Sequence, residues 1–81
     1  MGANRIESDT TNGVIRYKFN GNPAGDPTGG PLESLRAVRA WCRKIKTGDG
    51  GFGGDEIVLR KLAKTIEDMA VTEVKRGNLA P

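Results

Sequence analysis

Four basic residues recur at helical spacing in the middle of the chain and could bind anionic groups. Arg36, Arg39, Arg43 and Lys46 are separated by 3, 4 and 3 positions, which places them along one edge of an α-helix. A row of guanidinium and ammonium groups can contact phosphates or the carboxylates of an acidic protein surface. We predict that this basic stripe binds a partner; the alternative is a solvated helix face.

A glycine-rich segment after the stripe places oxygen-bearing side chains between two predicted helices. Asp49 is followed by Gly50, by the apolar Phe52 and finally by Glu56. This order resembles the second half of an EF-hand loop, in which an oxygen ligand precedes an invariant glycine and a glutamate closes the loop. The resemblance implies a degenerate Ca²⁺ site with Asp49 and Glu56 as ligands.

The first half of that motif is missing. The leading acidic ligands of EF-hands fall on Ile45 and Thr47 here. The alternative is a flexible glycine loop that ends at Asp55, a good N-cap for the next helix.

The chain contains no histidine, and Cys42 is its single cysteine. These counts exclude a disulfide within the chain, zinc sites built from Cys and His, and Ser–His or Cys–His catalytic pairs. We therefore expect no enzyme activity and no cofactor. Cys42 lies on the apolar side of a predicted helix, where a free cysteine behaves as a small core residue.

Asn12–Gly13 predicts a β-hairpin, because a type I′ turn needs positive φ at both central residues. The resulting register pairs Thr11 with Val14 and continues to Ile6 with Phe19. The alternative is a single strand over 14–19 behind an unstructured leader. This region forms either a hairpin or an arm. In both cases we predict a second partner-binding set, which comprises Arg16, Tyr17 and Lys18.

Apolar residues at helical spacing predict two helices, over about 31–46 and 55–76. Pro31 suits the first position of a helix, and Gly77 suits the position just after one. The predicted organisation is therefore 1–30 as hairpin or arm with a flexible Gly/Pro linker, 31–77 as a helical hairpin, and 78–81 as a tail.

These elements predict an α+β fold, in which an N-terminal β-hairpin and a Gly/Pro linker precede an antiparallel two-helix hairpin. The second helix should extend past the first near Val71–Val74. Apolar residues make up 36% of the chain, against about 45–50% in typical domains when glycine is counted. Such a small core favours docking or oligomerisation.

We expect a non-catalytic structural or adaptor subunit of a larger assembly, such as a virus or phage component, or a small inhibitor of a host protein. The alternatives are a nucleic-acid-binding regulator that uses the basic stripe, and the degenerate Ca²⁺ module. The expected partner is a protein or a second copy, with nucleic acid as the alternative. We expect no membrane or small-molecule partner, and a cytoplasmic or virion-internal location, because the sequence lacks an apolar run of membrane-spanning length.

Overall fold

The computed structural model describes residues 5–20 and 30–81, in which two antiparallel strands precede two packed helices. In chain order the elements are β1 (Arg5–Thr11), β2 (Val14–Asn20), α1 (Leu35–Lys46) and α2 (Glu56–Lys75). This confirms the predicted α+β fold. The predicted Gly/Pro linker falls mostly on residues 21–29, which lie outside the described residues.

The hairpin has the predicted register. Asn12 and Gly13 have φ values of 56° and 78°, as a type I′ turn requires. The cross-strand pairs run from Thr11–Val14 to Ile6–Phe19. The turn therefore sets which side chains of both strands share one side of the hairpin.

Helix α1 begins four residues later than predicted. The Leu32 N–H donates to the Ile15 carbonyl at 3.0 Å, and the Leu32 carbonyl accepts from the Ile15 N–H at 2.9 Å, so this segment is extended along the free edge of β2. The Ser34 hydroxyl then accepts a hydrogen bond from the Ala37 N–H at 3.1 Å. Pro31 therefore does not start the helix, because Leu32 belongs to the sheet and Ser34 is the N-cap.

The predicted tail is part of the fold. Gly77 has a φ of 80°, and the Asn78 N–H bonds back to the Glu73 carbonyl at 2.9 Å, which ends α2 in a Schellman turn. Leu79 beyond it is only 5% exposed. The Ala80 carbonyl accepts the first N–H of α1, from Leu35, at 2.8 Å. The end of the chain thus caps the start of α1.

The hairpin covers one side of the helical pair, and the core lies between these two layers. The Tyr17 and Trp41 rings have centroids 5.6 Å apart, and the Tyr17 hydroxyl reaches the Ile66 carbonyl of α2. The helices are antiparallel, since Arg39 contacts Glu67 while the later Cys42 contacts the earlier Ala63 of α2.

The part of α2 predicted to extend past α1 is covered by the chain itself. Val71 and Val74 are partly buried against the core, to which Leu79 also belongs. No partner is required to shield this end of the helix. No helix within residues 5–20 and 30–81 is long and apolar enough to cross a membrane.

The glycine-rich loop between the helices is held against the core. Phe52 is 9% exposed, and its ring lies 5.1 Å from that of Phe19 between centroids. A Cβ on Gly50 would lie 2.6 Å from Cγ1 of Ile45 and 2.9 Å from its Cα. Only glycine allows this approach, so the loop composition serves packing at this point.

Candidate binding surface

The basic stripe lies on the side of α1 that the core leaves free. Leu35, Val38, Trp41, Cys42 and Ile45 turn inward. Arg36, Arg39, Arg43 and Lys46 are all exposed. The helical period separates the two sets, so the predicted clustering of these four cations on one edge agrees with the structure.

Helix α2 adds two more cations beside the stripe. A cleft of about 650 Å³ is lined by Lys46 and Thr47 from the end of α1 and by Glu56, Arg60, Lys64 and Glu67 from α2. A second cleft of about 450 Å³ is lined by Arg36, Arg39, Arg43 and Pro81. Arg39 and Glu67 form an ion pair that joins the two clefts into one continuous surface.

We call this surface the basic face and define it by its six cations. They are Arg36, Arg39, Arg43, Lys46, Arg60 and Lys64. Three carboxylates lie among them, Glu56, Glu67 and the Asp68 that pairs with Lys64, so the side chains of the face carry a formal charge of +3, equal to that of the whole chain. The positive charge of the protein is therefore concentrated on this face.

Half of these cations are in ion pairs. Arg39 Nε lies 3.0 Å from Glu67 Oε2, Arg60 Nη2 lies 2.7 Å from Glu56 Oε2, and Lys64 Nζ lies 3.2 Å from Asp68 Oδ1. Exposed pairs of this kind contribute only about 0–1 kcal/mol, so a stronger anion can displace the carboxylates.

The other three cations have no ion pair with any described residue. They are Arg36, Arg43 and Lys46. Their donors are available to an anionic ligand without the loss of an existing ion pair.

Sequence reasoning missed the contribution of α2 to this surface. The two cations that α2 adds are Arg60 and Lys64. The helical period places both residues on one flank of α2. It does not reveal that this flank lies beside the basic stripe, because that depends on how the helices pack.

The predicted hairpin set of Arg16, Tyr17 and Lys18 does not lie on one surface, because its side chains point to opposite sides of β2. Arg16 and Lys18 are exposed on the outer side of β2, opposite Asp9 and Glu7 on β1. Tyr17 is 7% exposed, and its hydroxyl donates to the Ile66 carbonyl at 2.6 Å. The assignment of Tyr17 to a partner-binding surface is therefore wrong, because alternation along the strand turns it into the core.

The two side chains most suited to nucleophilic chemistry are also internal. The Cys42 thiol donates to the Ala63 carbonyl at 3.3 Å, and burial, with a smaller contribution from nearby Glu67, raises its pKa to about 11. Burial also raises the pKa of Tyr17. Both groups are therefore protonated at neutral pH, and the predicted burial of Cys42 is confirmed.

The proposed Ca²⁺ ligands make other contacts. Asp49 Oδ2 accepts from the Thr47 hydroxyl at 3.2 Å, and Glu56 pairs with Arg60. Within the described residues, no three His, Cys, Asp or Glu side chains lie where they could hold a metal ion together. The loop instead ends at Asp55, whose carboxylate accepts from the Val58 N–H at 2.9 Å and caps α2, as the alternative interpretation predicted.

Comparison with known proteins yields no match to a family model, to a curated protein or to a solved structure.

Proposed function

We propose that the protein is a small, non-catalytic structural or adaptor subunit that docks into a larger macromolecular assembly through its basic face. The observation that carries this proposal is the concentration of six cations on the side of the helical pair opposite the hairpin. Charged side chains on a helix surface are common, but a single surface that carries a formal charge equal to that of the whole molecule is a specific electrostatic feature.

The chemistry of the side chains supports a non-catalytic role. The chain has no histidine, and the Cys42 thiol and the Tyr17 hydroxyl are both bonded to carbonyls of α2. The two clefts of the basic face contain carboxylates and cations but none of these groups. We therefore assign the face to binding, with no cofactor and no small-molecule substrate.

The charge of the face also favours a partner other than a second copy of the chain. Two basic faces in contact would oppose six cations with six cations, and six carboxylates in total would neutralise only half of these twelve charges. Like charges across an interface cost several kcal/mol. The complementary partner is an anionic component of the assembly.

The test compares the native size of the complex for two matched double variants. Extracts of source cells that express the tagged full chain are fractionated by size exclusion, and the protein is detected by its tag. The first variant, Arg36→Gln with Arg43→Gln, removes two cations from the basic face. The second, Arg16→Gln with Lys18→Gln, removes two cations from the outer side of the hairpin.

We expect the wild type and the hairpin variant to elute with the large assembly. The basic-face variant should shift to the position of the free 8.7 kDa chain, because surface electrostatics determine its docking. A wild-type protein that elutes as the free chain would overturn the proposal. So would a basic-face variant that stays in the assembly.

A further inference from the structure

We propose that the anionic component bound by the basic face is the phosphate backbone of a nucleic acid duplex, contacted without selection of base sequence. This inference rests on the proposed function and names its partner. It follows from three properties of the face: its lining, its width and the position of the aromatic side chains.

The lining of the two clefts lacks the apolar centre that most protein interfaces have. Pro81 is the one apolar residue among the lining side chains, and the exposed Ile57 and Val58 line neither cleft. Protein interfaces usually depend on a buried apolar or aromatic centre surrounded by polar groups. Contacts to DNA and RNA backbones use mainly Arg, Lys and small polar side chains, which make up seven of the ten residues that line the two clefts.

The spacing of the cations suits two rows of phosphates. The stripe from Arg36 to Lys46 spans about 15 Å along α1 at 1.5 Å per residue, and Arg60 and Lys64 form a shorter row on α2. Packed helices have axes about 8–10 Å apart, which is comparable with the width of a duplex groove, about 6–12 Å. The two rows can therefore contact phosphates of both strands at once.

The overall width of the two packed helices prevents them from reaching the base edges in a groove. A single helix has a diameter of about 10–12 Å with its side chains and can enter a major groove about 12 Å wide. Two helices packed side by side are about 20 Å across. The basic face therefore rests on the backbone and leaves the base edges uncontacted, so binding should be independent of sequence.

The aromatic side chains favour a duplex over a single strand. The chain has four aromatic residues, and all four are in ring contacts with one another inside the fold: Tyr17, Phe19, Trp41 and Phe52. Proteins that bind single strands usually stack exposed bases on aromatic rings. Because the basic face offers no ring, it should gain nothing from unpaired bases.

The test uses fluorescence anisotropy to measure binding of the purified full chain to a fluorescently labelled DNA duplex, at salt concentrations from about 50 to 200 mM. Two duplexes of unrelated sequence, the corresponding single strand and labelled poly-glutamate serve as probes. If four to six cations contact phosphates, the slope of log K against log salt is about −3.6 to −5.4. Affinity for the duplex then falls roughly 100- to 2,000-fold over this range.

The matched double variants test whether the basic face is the surface that binds the duplex. Arg36→Gln with Arg43→Gln should reduce the magnitude of the slope by about 2, since each lost phosphate contact contributes about 0.9. Arg16→Gln with Lys18→Gln should leave the slope unchanged, although it removes the same net charge. Circular dichroism of both variants checks that the exposed substitutions leave the fold intact.

Several outcomes would overturn the inference. Two of them concern the ligand: absence of duplex binding at the lowest salt, and tighter binding of the single strand than of the duplex. The other two are a preference of more than about tenfold for one duplex sequence, and an equal decrease of the salt slope in both double variants. Binding of poly-glutamate as tight as that of the duplex would also overturn it, because the face would then recognise negative charge in general. These results leave the proposed function standing if the native complex still depends on Arg36 and Arg43.

Discussion

At the scale of single residues, two titratable side chains connect layers of the fold. Tyr17 on β2 donates to the Ile66 carbonyl, and Cys42 on α1 donates to the Ala63 carbonyl. Both acceptors belong to α2, so the strand and the first helix are each tied to the second helix by one side-chain hydrogen bond. Buried groups of this kind stabilise the fold only in their protonated forms.

The first prediction concerns the alkaline limit of stability. The pKa of Cys42 rises from 9.0 to about 11 on folding, so the unfolded chain loses this proton first. The stabilising effect of the protonated thiol is fully present below about pH 9 and declines as the pH rises toward 11. The free energy of unfolding should fall by the order of 2–3 kcal/mol over this interval, since each pKa unit is worth about 1.4 kcal/mol.

Urea denaturation between pH 8 and pH 11 measures this effect, with Cys42→Ser as the control. A serine hydroxyl keeps a donor near the Ala63 carbonyl but does not titrate in this range. The variant should therefore lose less stability with rising pH than the wild type, and because Cys42 also raises the pKa of Tyr17, its removal acts in the same direction through that residue. Parallel pH profiles for the two proteins would contradict the prediction.

At the scale of elements, the start of α1 is determined by its neighbours in space as well as by its own sequence. Pro31 is a favourable first helical residue, yet the backbone of Leu32 pairs with Ile15 and cannot be helical at the same time. Ser34 offers an equally good local signal one turn later, where its hydroxyl caps the helix. Two acceptable start sites exist, and the sheet contact selects the second.

The second prediction tests this start site by two neighbouring substitutions. Ser34→Ala should lower the free energy of unfolding by about 1 kcal/mol, the usual cost of losing an N-cap side chain. Glu33→Ala should change it by less than about 0.5 kcal/mol, because this exposed residue lies outside the helix and gains nothing from its dipole. A larger loss from Glu33→Ala than from Ser34→Ala would favour a helix that begins at Pro31.

At the scale of the whole molecule, the packed core and the proposed binding surface lie on different sides of the helical pair. The hairpin, the glycine-rich loop and the end of the chain all contribute to one core, to which thirteen buried side chains within residues 5–20 and 30–81 belong. The opposite side of the helical pair carries the six cations of the basic face. Substitutions on the face should therefore leave the fold intact, whereas substitution of the buried Leu79 should destabilise it.

The third prediction concerns the segment that follows α2 and contains the buried Leu79. Leu79→Ala should destabilise the protein by about 2–4 kcal/mol, since it removes a buried leucine side chain. For a domain of this size the melting temperature should fall by about 10 °C or more. Pro81→Ala, at an exposed position two residues on, should melt within a few degrees of the wild type. Equal melting temperatures for all three proteins would show that the segment does not contribute to the core in solution.

The sequence by itself determined the features that depend on neighbours along the chain. The Asn12–Gly13 turn set the register of the hairpin, the helical period separated the basic stripe from the apolar side of α1, and the Asp55 cap marked the start of α2. These signals are local, because turn geometry, side-chain period and capping involve residues only a few positions apart.

Tertiary structure alone decided how these elements face one another. It joined Leu79 to the core, and it placed Arg60 and Lys64 beside the basic stripe. Each of these outcomes depends on contacts between residues far apart in sequence, where several packings satisfy the same apolar pattern. The selection among them comes from how the side chains fill the core, which neither spacing nor composition encodes.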